Sequence, residues 1–329
     1  MLNFLKEKNI YIILLILLIV FPFLPFVGRY FMQIAILCLI YSIGTLTLNL
    51  FLGYTGQLSL GHGAFFGIGG YTVAILTTQH EWAFWAAIPL AGIFAAIGGL
   101  IFGLPALRTR GAYFAVSTLA FGVIAYVVAG AWIDLTGGYT GIVGIPRPEG
   151  FFGLDFQVIE NRYFLALVLV ILTLVVLHRL IYSLQGYDFM ACRNNEVLAE
   201  AVGINAYVAK LISFSTANFI VGIGGGFYAS FMGTMSPETI HYSMSFVFLI
   251  QVMLGGMGSM AGPVIGAFVV TILLEYFHAF GPYRYIFFGV VVIIMTIYAS
   301  YGLVGLYNSN KDKLTSLWKK GEDKSAAKG

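Results

Sequence analysis

Few residues in this chain have the type and spacing to do chemistry, and each group suggests a different kind. Glu275 and His278, three apart near the outer end of an apolar run, are what a proton relay through a membrane would use. Interfacial snorkelling, or a bond between the two, is the plainer account of them. His62 lies in the glycine-rich stretch Gly53 to Gly70, where bonding to a neighbouring helix is the plainer role and contact with a solute the alternative. Cys38 and Cys192 stand in unlike surroundings, which provides neither a disulfide framework nor a metal site. The Gly-x-x-x-x-Gly-Lys-Ser/Thr loop that cradles nucleotide phosphates is absent from the sequence. Any nucleotide-driven work done with this chain therefore belongs to another polypeptide.

Two stretches have more to offer. Gly53 to Gly70 combines glycines that permit a broken or closely packed backbone with the neutral hydrogen-bonding groups of Gln57 and Ser59 and the apolar walls of Phe65 and Phe66. Broken-helix amides and carbonyls can hold a zwitterion there without a formal charge; helix packing explains the same glycines. Ser183 to Asn205 reads as a short surface helix with a stop. Leu198 and Val202 lie one turn apart, Glu196 and Glu200 line a polar face, and Gly203-Ile204-Asn205 has the form of a left-handed cap. Its lysine-poor composition suits a protein groove better than an anionic lipid surface.

The elements that must position these residues follow from composition. Of 329 residues, 60% are hydrophobic and 9% charged, with a mean hydropathy of +0.92. A water-facing surface needs about a quarter of the residues charged, so the chain is an integral membrane protein. The 40 glycines suit helices that pack backbone to backbone or break at a site. Lys6 and Lys8 precede the apolar run Ile10 to Val20, which lacks a small-x-small cleavage site and reads as a retained span. Further runs lie near 31 to 52, 57 to 78, 83 to 105, 111 to 133, 161 to 182, 208 to 232, 243 to 261, 263 to 280 and 284 to 306. The expected fold is an all-α polytopic membrane protein of about ten transmembrane helices, with glycine-rich broken or re-entrant segments and both termini cytoplasmic. Residues 1–308 would form the permease domain, with 134–160 an extracytoplasmic loop and 183–207 a cytoplasmic one, and 309–329 a basic tail. That orientation puts 13 of the 17 Lys and Arg residues inside and leaves Arg29, Arg147, Arg162 and Arg284 outside, as the positive-inside rule requires.

Several ordered blocks resemble the membrane permease subunits of ATP-binding-cassette importers, in particular the LivM-type subunit for branched-chain amino acids. They are Gly53-Tyr54-Thr55-Gly56-Gln57-Leu58-Ser59-Leu60-Gly61-His62-Gly63-Ala64-Phe65-Phe66-Gly67, Arg108-Thr109-Arg110-Gly111-Ala112-Tyr113-Phe114, and Leu135-Thr136-Gly137-Gly138 followed by Gly141 and Gly144-Ile145-Pro146-Arg147-Pro148. Arg193-Asn194-Asn195-Glu196, Glu200-Ala201-Val202-Gly203-Ile204, Met235-Ser236-Pro237-Glu238 and Gly255-Gly256-Met257-Gly258-Ser259-Met260-Ala261-Gly262-Pro263 complete the set. Met190-Ala191-Cys192 and Tyr139-Thr140 depart from the usual residues at their places.

The resemblance implies a non-enzymatic translocation subunit in a bacterial inner membrane, carrying leucine, isoleucine or valine. Urea or a short amide is the alternative substrate, and a proton-coupled carrier the alternative mechanism. The implied partners are a homologous second permease in a heterodimer, two ATPase subunits that use ATP and magnesium, an extracytoplasmic substrate-binding protein and membrane lipid, with no nucleic acid. No cofactor is expected on this chain and no metal. Arg193, Asn195, Glu196, Glu200, Ala201, Gly203 and Ile204 would form the coupling helix that inserts into the ATPase. Gly56, Gln57, Ser59, Gly61, His62 and Phe65 would line the path with Gly255, Gly256, Gly258 and Ser259, while Thr136, Gly137, Gly138 and Arg147 would meet the binding protein or cap a gate.

Overall fold

The computed structural model describes residues 18–23, 28–150 and 153–283, and singly 286, 289–290, 293, 302–303 and 305. The greater part of the expected first span and of the last one, the lysines Lys6 and Lys8 and the basic tail lie outside the described residues.

A long helix, α1 (Arg29–Asn49), continues through a wider π turn, Leu50–Tyr54. It forms the axis of the molecule, since 83% of its most apolar stretch is buried. After the non-helical residues 55–61 comes α2 (His62–Thr78), followed by α3 (Phe84–Ala106) and α4 (Ala112–Ala131). A one-turn helix α5 (Ile133–Thr136) opens a long loop, and α6 (Ile159–Ile181) returns across the molecule. Two short helices, α7 (Leu184–Asn194) and α8 (Glu196–Ala201), precede the 27-residue α9 (Ala206–Met232). A hairpin of α10 (Tyr242–Gly255) and α11 (Ala261–Tyr276) follows. The fold is all-α as expected, with one two-residue ladder where loops cross: β1 (Ile142–Val143) pairs antiparallel with β2 (Thr234–Met235).

Among the described residues, five helices are long and apolar enough to cross a membrane, counting Arg29–Tyr54 as one. The stretch 57 to 78 is not a full span, because its helix begins only at His62. The last two expected spans in this region shorten likewise, since residues 256–260 lie between α10 and α11. The bilayer reading follows from burial. Helices α3, α4 and α6 are strongly apolar, yet only 33% of the most apolar stretch of each is buried. Exposed apolar surface of this extent on span-length helices is what a hydrocarbon core covers.

Helices α2, α3 and α9 pack together at the centre. Their contact is backbone to backbone, since a Cβ placed at Gly69 would strike Gly222 and one at Gly225 would strike the Phe66 carbonyl. Small residues give helices this approach in lipid, where no hydrophobic force presses them together.

Candidate functional site

The first break leaves α1 at Tyr54 and doubles back between helices. Because its amides cannot use water at this depth, other elements must satisfy them. Leu60 N donates to Thr118 Oγ1 on α4 at 3.0 Å, and Gly63 N donates to Ser245 Oγ on α10 at 2.8 Å. Those two bonds hold the start of α2 between α4 and α10. His62 Nε2 lies 2.9 Å from Thr47 Oγ1 on α1, and its ring meets Phe248 edge-on. Phe65 stacks on Phe121 at 5.0 Å and meets Phe214 at a right angle. Gln57 and Ser59 are buried, and among the described residues Gln57 Oε1 and Ser59 Oγ have no hydrogen-bond partner. Buried oxygens of this kind are costly unless something visits them. Gly61 lies against the Thr118 carbonyl, while Gly56 is exposed below Arg193.

Residues 256–260 form the second break, and the fold brings it onto the first. Asn49, the last residue of α1, spans the join: its Oδ1 accepts from Gly258 N at 2.9 Å and its Nδ2 donates to Ser259 O at 2.8 Å. Ser259 Oγ in turn donates to Gly256 O and accepts from Gly262 N, while Gly255 packs against Gly262 across the hairpin. Asn49 was not singled out in the sequence. The available signal was an amide inside an apolar run, which lipid tolerates only where the amide is bonded.

At the same end of the bundle sit the short helices. Sequence reasoning expected one helix between 183 and 205, but the structure has two, divided at Asn195. That residue is extended, and its side chain caps α8 by accepting from Leu198 N at 3.0 Å. Helix α8 ends in a Schellman cap: Ile204 N donates to Ala199 O and Gly203 N to Glu200 O, both at 3.0 Å, with Gly203 at φ +92°. Val197, Leu198 and Val202 are exposed at the tip, whereas Ala199 is buried. Glu196 Oε2 pairs with Lys210 Nζ of α9 at 2.7 Å, and Arg110, from the α3–α4 turn, reaches Glu196 at 3.4 Å and Glu200 at 4.0 Å. Arg193, near the end of α7, donates from Nη1 to the Gly53 carbonyl. The short helices are thus pinned to α9, to the α3–α4 turn and to the end of α1.

Thr136, Gly137, Gly138 and Arg147 occupy the opposite end. Thr136 Oγ1 donates to the carbonyls of Ala129 and Trp132, both at 2.6 Å, and the two glycines turn the chain toward β1. Arg147 is exposed, with Nη1 3.3 Å from Gln157 Oε1. Glu275 accepts from Tyr30 Oη at 2.6 Å; the side chain of His278, its possible partner in the sequence, lies outside the described residues.

A multi-pass helical bundle with paired internal breaks and a braced, apolar-tipped helix at one end belongs to the class of membrane permeases. Residues 30–296 match the family model described as branched-chain amino acid transport system / permease component, and the chain belongs to that family. It is 34% identical over 321 residues to the high-affinity branched-chain amino acid transport system permease protein LivM of Escherichia coli, covering 91% of this chain and 75% of that one. The LivM of Salmonella typhimurium is 33% identical, with 96% and 79% covered. A probable LivH permease of Methanocaldococcus jannaschii is 27% identical over 79% of this chain and 88% of its own length. No solved structure matches the chain.

Proposed function

We propose that this chain is the membrane-spanning translocation subunit of an ATP-binding-cassette importer for leucine, isoleucine and valine. The relatives are named for branched-chain amino acids, which favours these substrates over urea or short amides. In this reading the chain sits in the bacterial inner membrane with the α7–α8 end cytoplasmic. It pairs with a homologous permease, while two separate ATPase subunits bind ATP and magnesium, and a soluble receptor docks at the Thr136–Arg147 end.

The observation that carries the mechanism is the set of links running inward from α8. A six-residue helix with an apolar tip is a knob for a cleft in a partner. Movement of that knob reaches α9 through the Glu196–Lys210 pair and reaches the end of α1 through Arg193 and the Gly53 carbonyl. From α1, Asn49 passes the displacement to residues 258 and 259. Both breaks therefore shift together when the ATPases close, as rigid elements with two discrete arrangements do. Gln57 Oε1 and Ser59 Oγ then supply neutral acceptors for the ammonium of a passing zwitterion. Glu200, Ala201, Gly203 and Ile204 shape the knob, and Asn195 holds it at an angle to α7.

The test is uptake into proteoliposomes containing the assembled complex. Accumulation of leucine that requires both ATP on the α8 side and receptor on the other is the expected result. Accumulation by this chain alone, driven by an ionic gradient, would overturn the proposal.

A further inference from the structure

The block Met235-Ser236-Pro237-Glu238 takes no part in the breaks or in the α8 brace. Met235 is fixed by its pairing with Ile142, and buried Pro237 opens a single 3-10 turn, Pro237–Thr239, that carries Glu238 to the surface. Tyr126 of α4 donates from Oη to Glu238 Oε1 at 3.4 Å. Around this pair stand more rings. Tyr139 lies 6.2 Å from Tyr126 at an interplanar angle of 66°, and His241 lies 5.0 Å away at 70°. Tyr242 is 3.9 Å from His241. The imidazole is held in place because its Nδ1 accepts from Ser243 N, capping α10. Tyr139 and Tyr242 are 66% and 40% exposed, so their faces are open to a ligand.

Aromatic walls set at interplanar angles of 39° to 70°, with one carboxylate among them, form an arrangement suited to an organic ammonium. The ring faces attract the cation and the carboxylate balances its charge. An aromatic belt at the membrane interface would account for rings, but not for a carboxylate held within them. Charge at this end of the bundle agrees: among the described residues Glu81, Asp134, Glu149, Asp155, Glu160, Glu238 and Glu275 face only Arg29, Arg147 and Arg162, an excess that concentrates cations. The position is also suitable. Tyr242 is three residues from Ser245, which holds Gly63 N, and Tyr126 is eight residues above Thr118, which holds Leu60 N. The cluster therefore stands on the same two helices that wall the first break.

We propose that Tyr126, Tyr139, His241, Tyr242 and Glu238 form a vestibular site that receives the ammonium group of the solute before it passes to the first break. This rests on the amino acid reading above. Two measurements on the assembled complex test the two claims separately. Saturation-transfer NMR in nanodiscs, with tetramethylammonium as probe, reads the site directly and needs no transport. Receptor-dependent leucine uptake reads its use. Glu238→Gln and Tyr139→Leu are expected to weaken tetramethylammonium transfer and to lower uptake by about tenfold, with leucine binding to the free receptor unchanged. Exposed Tyr139 keeps the test sound should the Glu238 variant assemble poorly. Transfer and uptake within twofold of wild type in Tyr139→Leu would overturn the site. Undiminished tetramethylammonium transfer in a wild-type complex that carries no amino acid would instead overturn the functional reading and leave the site standing.

Discussion

At Gly203 the backbone turns through φ +92°, and no atom lies within 4 Å of where a Cβ would sit. A substitution there meets open space, so its cost is conformational, about 1 to 2 kcal/mol for an L residue and more for a β-branched one. Gly203→Val is expected to unwind the cap and loosen α8 without touching the core. The check is ATP hydrolysis in reconstituted complexes: basal turnover persists while stimulation by loaded receptor is lost. The Lys210–Glu196 pair is a different case, because Lys210 is 1% exposed. Glu196→Gln leaves a buried cation facing only a neutral amide and should cost about 3 kcal/mol, whereas Lys210→Met with Glu196→Leu removes both charges and restores most of that loss. Thermal unfolding of the three detergent-solubilised variants measures the difference. Burial also pushes the Cys192 thiol up from its ordinary range, with Lys210 opposing and Glu196 adding to the shift. Fewer thiolates then exist at neutral pH, so in a Cys38→Ser background maleimide labelling of Cys192 is expected to be slow and to quicken as pH rises. Labelling at the rate of an unfolded control would contradict the packing of α7.

Elements in this protein are shaped by how closely their backbones approach. The α2–α9 crossing depends on Gly69 and Gly225, where any side chain would meet backbone rather than a yielding side chain. Gly98, on the flank of α3, has only Ile68 and Phe65 at ordinary contact distance. Gly225→Leu is therefore expected to abolish assembly and Gly98→Ala to be tolerated, with the yield of monodisperse complex on gel filtration as the readout. The same contacts explain why α2 and α10 are short. A helix of 17 or 14 residues spans about 25 or 21 Å, less than the hydrocarbon core. Such lengths are tolerated because neighbouring helices, not lipid, cover the broken ends.

For the molecule as a whole, Asn49 has the widest reach, since it joins the end of the axial helix to the far hairpin. Asn49→Leu fits the space but forfeits both bonds, leaving Gly258 N and Ser259 O without their partner. In the proposed mechanism the breaks then move independently. Receptor-stimulated ATP hydrolysis should continue while uptake per ATP falls several-fold; a parallel loss of both would place Asn49 in folding rather than in transmission.

Read alone, the sequence determined the bilayer, the positions of five long spans, the family and the capped short helix, because these depend on local quantities. Apolar run length sets a span, and Gly203 after Glu196 to Ala201 sets a stop. Even so, it did not divide α7 from α8, since a single extended residue, Asn195, makes the break and leaves the run of helix-forming residues around it almost unchanged. Nor did it give a role to Asn49, Lys210 or Arg110, whose partners lie on other elements and cannot be found by spacing. Tertiary structure alone brought Gly53, Arg193 and Gly258 to one place and set Glu238 beside Tyr126. Those meetings depend on which helix faces another, and in lipid that is decided by backbone fit and by buried polar groups finding bonds, not by hydrophobicity.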